Sequence, residues 1–201
     1  MKTVAKIISI LFHPLIIPTL GIFILFNTNS YLNFAIAEEM KTAILLLIGI
    51  STFVIPALVS FLLLNKKIIN SLEMETPKER VIPYLFTILF YFITLYMLNK
   101  APIPPIIFKF IIATTISIIL AFTINFKWKI SAHMIGIGGL LGALITVALL
   151  LHVYMLPLII AAFIVAGLLG SSRLILNAHT SAQIYAGFAL GFICQFAVIY
   201  F

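Results

Sequence analysis

The chain has 201 residues, 64% of them hydrophobic and only 8% charged, with a net charge of +7. Soluble domains carry about 25% charged residues, so a water-soluble fold is excluded: there is too little polar side chain to cover this much apolar surface. The basic residues are scattered between apolar runs and never cluster with aromatics on a soluble domain, which argues against nucleic acid and for lipid head groups as partners.

A helix needs about 20 apolar residues to cross the hydrocarbon core. Seven runs approach that length: 6–26, 43–64, 81–98, 105–125, 132–151, 156–171 and 182–201. None alternates with period two, which argues against a membrane β-barrel. The expectation is an all-α, multi-pass bundle of about seven transmembrane helices, forming a single integral membrane domain over 1–201.

The first run is too long for a cleavable signal and lacks a small-residue cleavage site, and Pro14 and Pro18 interrupt it. His13 beside them has two readings: it satisfies a carbonyl the prolines free, or it lines a site. The second run ends in Lys66 and Lys67, which suit head-group anchors. The stretch ETPKER, 75–80, suits the start of the third helix, with Pro77 in its first turn and acids against the dipole.

The fourth and fifth runs are joined by FKWKISAHMIG, 126–136. Lys127, Trp128 and Lys129 read as an interface anchor, and Ser131 reads as an N-cap. His133 lies just inside an apolar helix, where ionisable groups mark function. Gly138 and Gly142 follow at close-packing spacing. His152, at the far end, reads as a backbone-bonded histidine.

The sixth run is short and carries Ala162, Ala166, Gly167 and Gly170. It leads into SSRLILNAHTSAQ, 171–183, where Arg173 closes one helix and His179 opens the next. Gln183 stands one turn beyond His179 on the same face. The stripe continues to Gly187 and Gly191, so the last three helices are expected to pack tightly. Cys194, the one cysteine, reads as packing.

Seven crossings place 1–5, 65–80, 126–131 and 172–181 on one side, here termed the near face. Lys41, Lys100 and Lys109 fall to the far side and the other basic residues to the near side. By the positive-inside rule the near face is cytoplasmic. Three distant stretches can therefore converge at one membrane surface.

Those stretches resemble the type 2 phosphatidic acid phosphatase superfamily, which also contains the vanadium haloperoxidases. Its third motif is Ser-Arg, five residues, His, three residues, Asp. Ser172, Arg173 and His179 fit, with Gln183 in the aspartate position. Its second motif, Pro-Ser-Gly-His, is matched by Ser131 and His133 within Ile130–Ser131–Ala132–His133. Its first motif is Lys, six residues, Arg-Pro. Lys66, Lys67, Lys78 and Arg80 are the candidates here, but Glu73 stands seven before Arg80 and the nearest proline beyond it is Pro83.

The resemblance covers about 66–201 and implies a six-helix core plus one extra helix. It implies a lipid phosphatase acting on a phosphatidate-like lipid or a polyprenyl (pyro)phosphate, in a bacterial inner (cytoplasmic) membrane. His179 would be the nucleophile, forming a phosphohistidine. His133 would protonate the leaving oxygen, and Gln183 would take the orienting position. Arg173, Ser172, Ser131 and Arg80 or Lys78 would bind phosphate oxygens. No cofactor or metal is implied. An amide in the carboxylate position fixes a tautomer but does not stabilise an imidazolium, so Glu73, Glu75 or Glu79 are candidates for the missing charge. Two alternatives stay open: an inactive relative that binds or moves a phosphorylated lipid, and a transporter whose proline-broken first helix lines a path.

Overall fold

A computed structural model describes residues 1–74 and 76–201, and among these every regular element is helical. Among the described residues six helices are long and apolar enough to cross a bilayer: Glu38–Asn65, Lys78–Leu98, Pro105–Asn125, Ala132–Leu151, Leu156–Ile175 and Ser181–Tyr200. The first comprises α4 (Glu38–Gly49), a π-helical turn (Ile50–Val54) and α5 (Ile55–Asn65). The second is a short 3-10 turn followed by α6 (Val81–Leu98), and the remaining four are α7 to α10 in that order. Before them come α1 (Lys2–Leu11), α2 (Ile17–Phe26) and the single turn α3 (Tyr31–Phe34).

The first apolar run does not form one spanning helix. Pro14 lacks an N–H and its ring would collide with the carbonyl four residues back, so the helix stops. Pro18 sits in the first turn of α2, where a missing N–H costs nothing. Each half is ten residues, about 15 Å, or half the hydrocarbon thickness. The chain nevertheless follows α8 from end to end. Pro14 lies against Gly136, Gly21 against Phe110 and Leu140, and residues 29–31 share a surface hollow with 151–154. The polar stretches thus keep to one face.

Helix α1 buries Ala5 and Ser9, one turn apart, and packs on α9. Val4, Ile7 and Leu11 are exposed along one side and Lys2 and Lys6 along another. This is the pattern of a helix lying in the membrane interface with its lysines toward water.

The spine of the bundle is the parallel pair α8 and α10. A Cβ on Gly187 would stand 2.7 Å from the Ser131 carbonyl oxygen, and one on Gly142 2.6 Å from that of Phe192. Gly191 meets Ile135 and Gly138 meets Phe188 still more closely. The expected tight packing of the last three helices needs one correction: α9 packs chiefly on α8 and α1, and Gly167 faces open space. Around the spine the core is mostly aliphatic, with Ile22, Leu25, Ile107, Ile111 and Leu141 fully buried beside the aromatics Phe26, Tyr91 and Phe110.

Two local devices shape the rest. Pro56 disturbs the Glu38–Asn65 span, and the π-helical turn just before it absorbs the misfit. Ser51 and Thr52 return hydrogen bonds to the carbonyls of Leu47 and Ile48, and Thr94 from α6 reaches Ser51 Oγ at 2.6 Å. Helices α5, α8 and α9 end with Lys67, His152 and Asn177 at positive φ, each followed by an N–H that bonds back to the last turn. His152 therefore terminates a helix, and Lys109 Nζ donates to the Ile199 carbonyl (3.4 Å) at the far end of α10.

Candidate active site

Backbone and side-chain hydrogen bonds tie the three near-face stretches together. Asn125 Nδ2 donates to the Pro77 carbonyl at 2.8 Å. Arg80 donates through Nε to Met74 O (3.0 Å) and through Nη1 to Ile130 O (3.2 Å). Ser131 N–H donates to Gln183 O at 3.4 Å, and His179 Nδ1 lies 3.2 Å from Lys129 O. The convergence expected from counting crossings is present in the fold.

These links frame a cavity of about 630 Å³. At its near-face end it is lined by Lys6, Arg80, Arg173 and three imidazoles, His13, His133 and His179, with Glu73 as the one carboxylate among the described residues. Farther in, the walls come from α2, the π-helical turn, α5, α6, α7, α8 and α10 and are mostly apolar, including Ile17, Phe53, Phe110 and Leu140. One polar patch lies in that inner part. Gln195 Nε2 donates to Phe110 O (3.1 Å) and Thr114 Oγ1 (2.8 Å), and its Oε1 is buried without a partner among the described residues.

The tautomer of His179 follows from its neighbours. Thr180 N–H donates to Gln183 Oε1 at 3.1 Å. A backbone N–H must face an acceptor, so the Gln183 oxygen, and not its NH2, occupies that position. The same oxygen lies 3.1 Å from His179 Nδ1, and the Lys129 carbonyl is the other neighbour. Both are acceptors, so Nδ1 carries the proton and Nε2 holds a bare lone pair. Burial first, then the Arg80 charge, lowers the His179 pKa from 6.5 to about 4; the Gln183 bond opposes the shift and Arg173 and Lys129 reinforce it.

Gln183 also closes a capping box with Thr180 at the start of α10. That motif stands in the sequence as Thr180–Ser181–Ala182–Gln183, a signal missed when Gln183 is weighed only as a replaced aspartate. With the Thr180 and Gln183 N–H groups satisfied inside the box, α10 offers fewer free amides than expected. Helix α8 differs: Ser131 occupies the N-cap position but makes no side-chain cap bond. Ala132 and His133, in that first turn, line the cavity, so uncapped amide donors open beside it.

The other expected site residues divide. Arg173 is 7% exposed, lines the cavity, and has an Nε without a partner among the described residues. His133 lines it too and donates its Nε2 proton to the Ser9 carbonyl at 3.1 Å. Arg80 lines it but is largely committed to backbone carbonyls. Ser172 is not brought in: its hydroxyl bonds back to Leu168 O at 2.7 Å. Ser131 Oγ is buried and unpartnered among the described residues, outside the cavity lining, and Lys78 is exposed away from it.

Of the candidate carboxylates, Glu79 is spent on Asn70 and Thr76. Glu73 sits within electrostatic reach of Arg173. Glu75 lies outside the described residues. No group of residues suited to hold a metal ion occurs among the described residues. Lys6, Ser9 and His13 were not placed here by the motif spacings, because the packing of α1 on α9 delivers the first two and that of the proline break on α8 the third. No family model, curated protein or solved structure matches the chain.

Proposed function

We propose that the protein is a membrane-embedded phosphatase for a phosphorylated lipid. The observation that carries this reading is His179: its proton is held on Nδ1, leaving a bare Nε2 at the cationic end of a cavity whose other end is apolar. A lipid phosphate has the same polarity, with an anionic head and a hydrocarbon tail. Attack by Nε2 on phosphorus would form the P–N bond and expel the lipid oxygen. Arg173 and the uncapped start of α8 are the donors for the equatorial oxygens, since phosphoryl transfer depends mainly on positioning and charge stabilisation. His133, with its one proton on Nε2 and donated to Ser9, would take a second proton from water on Nδ1, pass it to the leaving oxygen, and take one back from the water that hydrolyses the phosphohistidine.

A second reading, an inactive relative that binds or moves the same lipids, draws on Gln183. Its oxygen orients His179 but supplies no negative charge to the imidazolium, and the matching Asp-to-amide change in serine proteases costs about 10⁴ in rate. On the positive-inside rule the site face is cytoplasmic. Phosphate release from phosphatidate and from polyprenyl pyrophosphate, compared with His179→Ala, tests the reading. Release above the alanine variant is expected, together with a gain in Gln183→Asp. Equal release by wild type and His179→Ala would remove the catalytic reading, and binding without release would favour the second.

A further inference from the structure

His13 sits in the break between α1 and α2, outside every motif used above. Its ring stands edge-on to that of His133, with centroids 5.4 Å apart and planes at 79°. Leu15 N–H donates to His13 Nδ1 at 3.4 Å, so Nδ1 is bare and the proton of the neutral ring resides on Nε2. The three imidazoles then have different free atoms. His179 spends its N–H on Lys129 and Gln183, and His133 spends its own on Ser9. His13 is the one whose N–H has no acceptor among the described residues, and it lines the same cavity as Arg173.

We propose that His13 is a third working imidazole of this site, donating Nε2–H to a non-bridging oxygen of the phosphoryl group held by Arg173. The inference rests on the phosphorylated-lipid reading. It gives the proline break a purpose: an unbroken helix through residue 13 would give Leu15 N–H to a backbone carbonyl, and His13 Nδ1 would lose the bond that sets its proton on Nε2. The same segment carries Ser9, whose carbonyl orients His133, so the N-terminal arm is part of the site rather than a neighbouring anchor.

The test uses the full chain in nanodiscs, with two substitutions at residue 13. His13→Phe keeps a ring against His133 and removes the donor; His13→Gln removes the ring and keeps an N–H at a similar reach. Binding of phosphatidate is measured in the His179→Ala background, where turnover plays no part, and kcat and KM are measured in the wild-type background. Losing a hydrogen bond to a charged group corresponds to about tenfold to a hundredfold. His13→Phe is expected to weaken binding by that factor, and His13→Gln to retain most of it. Equal losses in both, or none in His13→Phe, would overturn the proposal. Because the phosphatase reading is judged separately by release in wild type against His179→Ala, the two can fail independently.

Discussion

At the scale of single residues, the site is a question of where protons reside. His179 titrates near 4 in the folded chain against 6.5 unfolded, so the unfolded chain binds more protons between those values. Stability from this group is therefore fully present above about pH 6.5 and lost as pH falls toward 4. The same shift keeps Nε2 unprotonated well below neutrality. The acid limb of kcat/KM attributable to His179 is expected below the ordinary histidine range, and the melting temperature should fall from pH 6.5 to 4 less steeply in His179→Asn than in wild type. A limb centred at 6.5 with parallel melting curves would mean that the imidazole is not held in the surroundings described. Gln183 matters here because its oxygen accepts from Nδ1 without a charge that would favour the imidazolium.

At the scale of elements, the α8–α10 contact fixes the site. Gly191→Ala would drive a methyl group into Ile135 O and to within 2.8 Å of Gly139 N, both backbone atoms that yield only if the helices separate. A loss of about 1–3 kcal/mol is expected in thermal or denaturant unfolding. Gly167→Ala is the matched control: nothing lies within 4 Å of the added carbon, and a gain of up to about 1 kcal/mol in helix propensity is expected. Equal effects of the two would contradict the packing. These glycines were legible as spacing, because close approach demands small residues at fixed intervals whatever the partner. The six spanning helices were legible for the same kind of reason, since bilayer thickness sets their length. Less could be read of Ile50–Val54, because a π-helical turn adds one residue without changing composition. Lys6 reaches the cavity through the docking of α1 on α9, and His13 through the packing of the proline break on α8, tertiary events that the spacing of residues does not mark. The proline pair announced a break in the first run, but not that the arm before it would fold over the site.

At the scale of the whole molecule, the bundle carries an unbalanced charge in its interior. Arg173 is 7% exposed with Nε unpartnered among the described residues, the buried Arg80 lines the same cavity, and Glu73 is the one carboxylate among the described residues of its lining. A buried charge without full pairing opposes folding, so the cationic end is maintained at a cost to the empty protein. An anion entering that end relieves the cost, and linkage turns the relief into stability: a ligand at a hundred times its Kd adds about 2.7 kcal/mol. Phosphatidate is therefore expected to raise the melting temperature of wild type. Arg173→Met, which fills similar space without charge, should leave the empty protein as stable as wild type or more so and abolish the rise. If Arg173→Met instead melts lower and still responds to phosphatidate, Arg173 holds the helices together and the anion binds elsewhere.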